Sequence, residues 1–258
     1  MPPMPPTVCF TVDYEPDCPP YRSDTFRGVE EGTAPLLALL REAGAPCTFF
    51  STGDVATRYP DAIRAIVDAG HELGCHGHTH RRFVDLTEAE ARDELRESSA
   101  ILRRFAPVDG FRAPNLVFPD AYLPLLEAEG YALDSSHAKY KAPYWRDRRH
   151  PAPTRLTRIP ASTTSSVLRL PRAVREAWLA RLASPVVLFV HPWEFVDWRH
   201  TDLRLDCRFA TGPTALRRVR AVLAFLAGRG ARFVTMRQAG AAARARGGAR
   251  GGGVRGAA

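Results

Sequence analysis

Along most of the chain, short apolar runs alternate with stretches in which apolar residues recur every three or four positions. The runs at 8–12, 47–50, 72–76, 110–112, 131–134, 186–190 and 232–235 are short and read as buried strands. Helical periods lie between them. They predict helices over 29–43, with Leu36, Leu37, Leu39 and Leu40 on one side and Gly44 as the stop, and over 60–69, ended by Gly70. Further helices are expected from Thr87 to about residue 105, over 119–129 and 214–227, and from about Met236. Thr87-Glu88-Ala89-Glu90 has capping-box spacing, in which hydroxyl and carboxylate each satisfy an exposed backbone N–H of the other.

About seven strands and about six helices alternate without a linker or repeat, which predicts one α/β barrel, distorted or incompletely closed. A doubly wound open sheet is the alternative, but no GxGxxG follows the first strand to support a dinucleotide-binding form. Residues 137–184, rich in Pro, Arg, Ser and Thr, read as loops and short strands over one mouth. The barrel is expected to fill residues 1–240. Residues 241–258, rich in Gly, Ala and Arg, are expected to form a disordered tail.

Polar residues recur at the strand ends: Asp13, His76, Arg112, Asp134 and His191. A parallel barrel gathers those ends at one face. The densest signal is His76-Gly77-His78-Thr79-His80, where two imidazoles four apart can converge on one divalent ion and His78 points elsewhere. Asp13, Glu15 and Asp17 put three carboxylates within five residues, which repel one another unless a cation or proton lies between them. Two histidines and one carboxylate are a common catalytic metal set with a position left open. Zinc suits it best, with cobalt, nickel, manganese and iron as alternatives. The plain alternative is a solvated acidic loop beside two unrelated histidines. His191, ending an all-apolar strand, reads by itself as a satisfied structural residue, but its place at the predicted mouth would let it supply the proton that a leaving amine needs. Arg112 would pair with a buried carboxylate and hold it ionised.

Composition narrows this picture. With 258 residues and 45% hydrophobic content, a sizeable core is available. No apolar run approaches the roughly 18 residues of a membrane span. Met1-Pro2-Pro3-Met4-Pro5-Pro6 lacks the features of a signal peptide, so a cytoplasmic protein is expected. Five scattered cysteines without a CxxC pair read as reduced thiols, and Cys75 as a buried strand residue rather than a soft ligand. The net charge is +8, but Arg244, Arg246, Arg250 and Arg255 lie in the tail, and two lysines stand against 34 arginines, as in a GC-rich coding bias. That distribution argues against a specific nucleic-acid partner.

Taken together, these residues resemble the polysaccharide deacetylase superfamily, carbohydrate esterase family four, from about Thr7 to Met236. Thr11-Val12-Asp13, His76-Gly77-His78-Thr79-His80, Phe111-Arg112-Ala113-Pro114, Asp134-Ser135-Ser136 and Phe189-Val190-His191 are similar to its five motifs, in order. The resemblance implies a distorted (β/α)7 barrel that hydrolyses an N-acyl group, acetyl or formyl, on an aminosugar. It implies Asp13 as catalytic base, oriented by Arg112, and His191 as catalytic acid. His76 and His80 become metal ligands, and Pro114, Asp134 and Trp193 line the substrate groove.

The chain departs from the family at one point. The common pattern has a second aspartate after the base, as metal ligand, and here that residue is Tyr14. Some branches carry the acid two positions after the base, which makes Glu15 the ligand, with Asp17 as runner-up. Metal-independent relatives that open cyclic ureides, and a non-catalytic sugar-binding module, remain as alternatives. Asp13-Tyr14-Glu15 and Thr25-Phe26-Arg27-Gly28-Val29-Glu30-Glu31-Gly32 are similar to the branch that deformylates lipid-linked aminosugars. With no export signal, a small or lipid-linked N-acylated aminosugar is the expected partner.

Overall fold

The computed structural model describes residues 5–251. Every pair in its sheet is parallel, and the strands lie in the order β6-β5-β4-β3-β2-β1-β7, with β8 also pairing with β1. They are β1 (Thr7–Tyr14), β2 (Cys47–Ser51), β3 (Glu72–Cys75), β4 (Gly110–Phe111), β5 (Leu133–Asp134), β6 (Thr157–Arg158), β7 (Val186–Val190) and β8 (Arg232–Phe233). The path curls into a distorted (β/α)7 barrel. Its seam lies between β6 and β7, where two hydrogen bonds replace a ladder: Ser162 N–H to Val187 O (2.8 Å) and Val187 N–H to Ser162 Oγ (3.0 Å).

Helices cover the sheet: α1 (Thr33–Glu42), α2 (Gly53–Arg58), α3 (Pro60–Asp68), α4 (Glu88–Leu102) and α5 (Leu123–Ala128). They are followed by α6 (Ala142–Arg149), α7 (Ser165–Leu168), α8 (Arg172–Leu179), α9 (Leu205–Arg208), α10 (Pro213–Gly228) and α11 (Met236–Gly251). The capping box forms as expected at the start of α4, with Thr87 and Glu90 each accepting from the other's backbone N–H.

Alternation along β1 sets up the site. Val8, Phe10, Val12 and Tyr14 join the main apolar layer with Leu36 and Leu40 of α1 and Val222 and Leu226 of α10. Each such side chain contributes about 1.5–3 kcal/mol through burial. Cys9 instead belongs to a smaller cluster with Phe50, Leu133, Val187 and Met236, inside the barrel. Odd positions of β1 therefore face inward, and Thr11 and Asp13 follow Cys9 up that face.

One expectation needs correction. Residues 137–184 hold α6, α7 and α8 as well as β6, because polar, arginine-rich stretches obscure the helical period there. α11 begins where Met236 and Ala239 pack into the barrel floor and runs through Gly251. Residues 252–258 of the expected tail lie outside the described residues.

Candidate active site

Arg112, just after β4, reaches across the barrel interior to β1. Its Nη1 donates to Asp13 Oδ1 (2.6 Å) and Thr11 Oγ1 (2.7 Å), and its Nη2 donates to Ser135 Oγ (3.0 Å). Thr11 passes its own hydroxyl hydrogen to Leu188 O (2.8 Å), so both Arg112 contacts on β1 are fixed in direction. The guanidinium lies 4.3 Å from the centroid of the Phe50 ring. Arg112 and Asp13 are both buried, so removing either partner strands the other charge and is costly.

Glu15 lies two positions beyond Asp13 and shares its face, whereas Tyr14 turns the other way. The Tyr14 hydroxyl meets Thr33 Oγ1 at 2.6 Å, and its ring stands edge-on to Phe49 at 5.8 Å. Two histidines meet Glu15. His76 Nδ1–H donates to Arg112 O (2.7 Å), which turns Nε2 toward Glu15 Oε2, 3.2 Å away. His80 Nε2 lies 2.6 Å from the same oxygen, yet it is buried and makes no hydrogen bond. Ligand atoms of the three residues all lie within 4.8 Å of one another. Burial alone would raise the Glu15 pKa, but His80, His191 and His76 outweigh it and hold the carboxylate well below its usual range.

The turn that carries His80 is strained and externally held. His80 has φ +61°, a left-handed backbone that costs a non-glycine residue about 1–3 kcal/mol. Buried Glu94 of α4 fastens the turn. Its Oε2 accepts from the N–H groups of His78 (2.7 Å) and Thr79 (2.9 Å), and its Oε1 accepts from the Thr79 hydroxyl. His78 points away, toward Glu97 at 3.4 Å. Glu94→Ala is expected to weaken divalent-metal binding about 10–100-fold, as loss of an orienting partner does. A metal titration checks this, and unaltered affinity would show that the turn holds its shape without the clamp.

Asp17, the runner-up ligand, is fully committed elsewhere. It accepts from Thr25 Oγ1, Arg27 N–H and Gly28 N–H, each at 2.8 Å, and so fixes the loop that follows Glu15.

His191 follows β7 and faces Glu15 from the other side, its Nε2 3.7 Å from Glu15 Oε1. Its Nδ1–H donates to Glu194 Oε1 (2.8 Å), and Arg169 Nε pairs with Glu194 Oε2 at 2.9 Å. Burial disfavours the imidazolium, but Glu15 and Glu194 prevail and raise the His191 pKa to about 9. Trp193 stacks on His191 with centroids 4.9 Å apart and donates Nε1–H to Glu15 Oε1 (3.3 Å), which ties the two sides together.

The 192–195 turn sits on a π-helical turn at Gly28–Gly32. A Cβ on Gly28 would fall 2.3 Å from Trp193 N, and one on Gly32 would fall 2.5 Å from Pro192 O. Neither glycine has a positive φ, so close approach is what requires them.

These groups open onto a cavity of about 440 Å³ whose lining includes Asp13, Glu15, His80, Tyr140, His191 and Trp193. That volume suits a small ligand or one sugar unit. Of the three residues expected to line the groove, only Trp193 does so. Asp134 is buried, with Oδ1 accepting from Ser136 N–H (2.9 Å) and Oδ2 beside Arg158 Nε (3.0 Å). Ser136 Oγ in turn accepts from Ala113 N–H (2.9 Å), so Asp134 shapes the Arg112 loop from behind. Pro114 is buried too. Asn115 and Leu116, with φ of +58° and +53°, turn into the cavity in its place. Sequence reasoning missed Glu94, Glu194 and Arg169. A His-x-x-Glu spacing signals Glu194, whereas nothing marks Arg169 among 34 arginines.

A family model described as polysaccharide deacetylase matches residues 2–133. A peptidoglycan deacetylase of Helicobacter pylori is 33% identical over 119 residues, which are 44% of this chain and 40% of that relative. The match thus spans less than half the length of that curated protein. Solved structures of related proteins share the fold. A family 4 carbohydrate esterase from Streptomyces lividans aligns with TM-score 0.59 at 19% identity, covering 88% of this chain and 90% of its own. A family pseudoenzyme from Bacillus anthracis aligns with TM-score 0.59 at 17% identity, covering 88% and 63%.

Proposed function

The chain belongs to the polysaccharide deacetylase family, and we propose that it is a metal-dependent hydrolase that removes an N-acyl group, acetyl or formyl, from an aminosugar. The observation that carries this reading is the buried Glu15–His76–His80 set, with Asp13 and His191 beside it in one cavity. The donor set fits a divalent cation. Two imidazole nitrogens aim at one carboxylate oxygen, one of them buried without a hydrogen-bond partner, and a cation resolves that unmet demand. Zinc is the first choice for two imidazoles and a carboxylate. When bound, the ion supplies Lewis acidity toward an amide carbonyl and an attacking water.

The remaining steps belong to the chain. Asp13, held in place by Arg112, takes a proton from the water as its oxygen bonds to the carbonyl carbon. His191, held by Glu194 with its Nε2 toward the cavity, gives a proton to the amide nitrogen as the C–N bond breaks. Carboxylate and free amine leave. Trp193 sets the spacing between His191 and Glu15 and walls the cavity, a role distinct from stacking on a sugar face.

Among the described residues, no helix is long and apolar enough to cross a membrane. The substrates we propose are N-acetylglucosamine-containing sugars, free, lipid-linked or within peptidoglycan fragments. The test is acetate or formate release by zinc-loaded protein, with a chelator arm. Release is expected to fall at least about 100-fold on chelation and to return with zinc. Release that a chelator leaves untouched would instead favour the metal-independent reading. Binding of sugar without release of any acyl group would favour a pseudoenzyme.

A further inference from the structure

Beside the catalytic cavity lies a second one of about 410 Å³, and the two share Pro19, Pro20, His80, Asn115 and Lys141 in their walls. Their chemistry differs. The first is lined by Asp13, Glu15 and Asp206, whereas no carboxylate lines the second among the described residues. Its polar groups are the Lys141 ammonium, the Arg82 guanidinium, the Ser23 hydroxyl, the Asn115 amide and the His80 ring. Lys141 Nζ has a backbone carbonyl, Asn115 O, as its hydrogen-bond partner. Arg82 is only loosely paired, 3.4 Å from Asp85 with both side chains more than half exposed, a geometry that adds little.

The local backbone has the same polarity. Lys141 is the N-cap of α6, which has no side-chain cap, no acid in its first turn and three arginines in its last. The helix dipole favours a negative charge at that end. Burial first, and then the charge of Arg82, lowers the Lys141 pKa, as expected for two cations that face each other with no acid between them.

We propose that this side cavity binds an anionic substituent of the substrate, a phosphate or a carboxylate, so that the preferred substrate is a negatively charged N-acylated aminosugar. The inference rests on the deacylase reading and narrows it. Because His80 belongs to both walls, the charge sits on the reacting sugar or on the group directly attached to it. Lys141 and Arg82 act as specificity residues and touch neither the acyl carbon nor the leaving nitrogen.

The test compares kcat/KM of the zinc-loaded enzyme for N-acetylglucosamine, N-acetylglucosamine 1-phosphate and N-acetylmuramic acid at low ionic strength. Calorimetric binding of the same three sugars runs in parallel. At least one charged sugar is expected to be favoured over the neutral one by about tenfold or more, as charge-assisted contacts allow. Which one leads distinguishes phosphate from carboxylate. Arg82→Gln and Lys141→Gln are each expected to cut the charged-to-neutral ratio about fivefold, and added salt to shrink it in the parent. A ratio near one in the parent, or a ratio that neither variant moves, overturns the proposal. If no sugar is deacylated but charge-selective binding depends on Arg82, the side cavity stands and the deacylase reading fails. If the neutral sugar is cleaved as fast as the charged ones, the reverse holds.

Discussion

Asp13→Asn is expected to lower kcat by at least about 100-fold, the scale on which a positioned general base acts. Asparagine keeps the shape of aspartate and still offers Arg112 an oxygen at the 2.6 Å contact, but it cannot take a proton from water. Arg112 loses its counter-ion in the same step. It remains buried against Thr11 and Ser135 hydroxyls, so a stability loss of up to about 3–5 kcal/mol accompanies the loss of rate. Rate is therefore to be measured well below the variant's melting temperature, with bound metal counted per folded molecule. Full metal content with at least a 100-fold lower kcat places the defect in proton transfer. Near-normal turnover on a true substrate would remove Asp13 from the mechanism.

The second large effect concerns Glu15, the proposed carboxylate ligand. Glu15→Ala is expected to weaken divalent-metal binding by at least about 100-fold, more than the loss of an orienting partner costs. Adding Tyr14→Asp, which restores the two adjacent aspartates common in the family, is expected not to rescue it. Position 14 points into the apolar layer, where its hydroxyl meets Thr33 and its ring meets Phe49. An aspartate there would leave a cavity and bury an unpaired carboxylate, costing about 4 kcal/mol or more. Metal titration and denaturant melts of the single and double variants decide the matter. A double variant that regains metal would mean that the β1 terminus rotates, and that the face assignment of Glu15 is not fixed by strand alternation.

Those two residues show how far the sequence could be read. The strand ends are legible because a buried parallel strand is a short apolar run, and the polar residue that closes it stands out. Asp13, His76, Arg112 and His191 emerge in that way. Strand alternation treats Glu15 and Asp17 alike, so the preference for Glu15 comes from the family branches that carry the acid two positions after the base, and the structure adds that Asp17 spends its carboxylate on three loop donors. Residues that act through others are harder to see. Glu94 sits on the inner face of an amphipathic helix and Arg169 follows a four-residue helix, so their partners are set by tertiary approach and not by local spacing. The Asp134 motif is visible, but its orientation is not. Only the positions of Ser136 and Arg158 show that the carboxylate braces the loop from outside the groove.

Gly28 and Gly32 have a consequence for recognising kindred chains. The pair spells Gly-x-x-x-Gly fifteen residues after Asp13, outside all five motifs. It records a contact with a turn more than 150 positions later in the sequence. A chain that keeps all five motifs but carries a side chain at either glycine must lift that turn, and His191 moves with it. This spacer therefore separates chains able to assemble such a site from those that merely spell it.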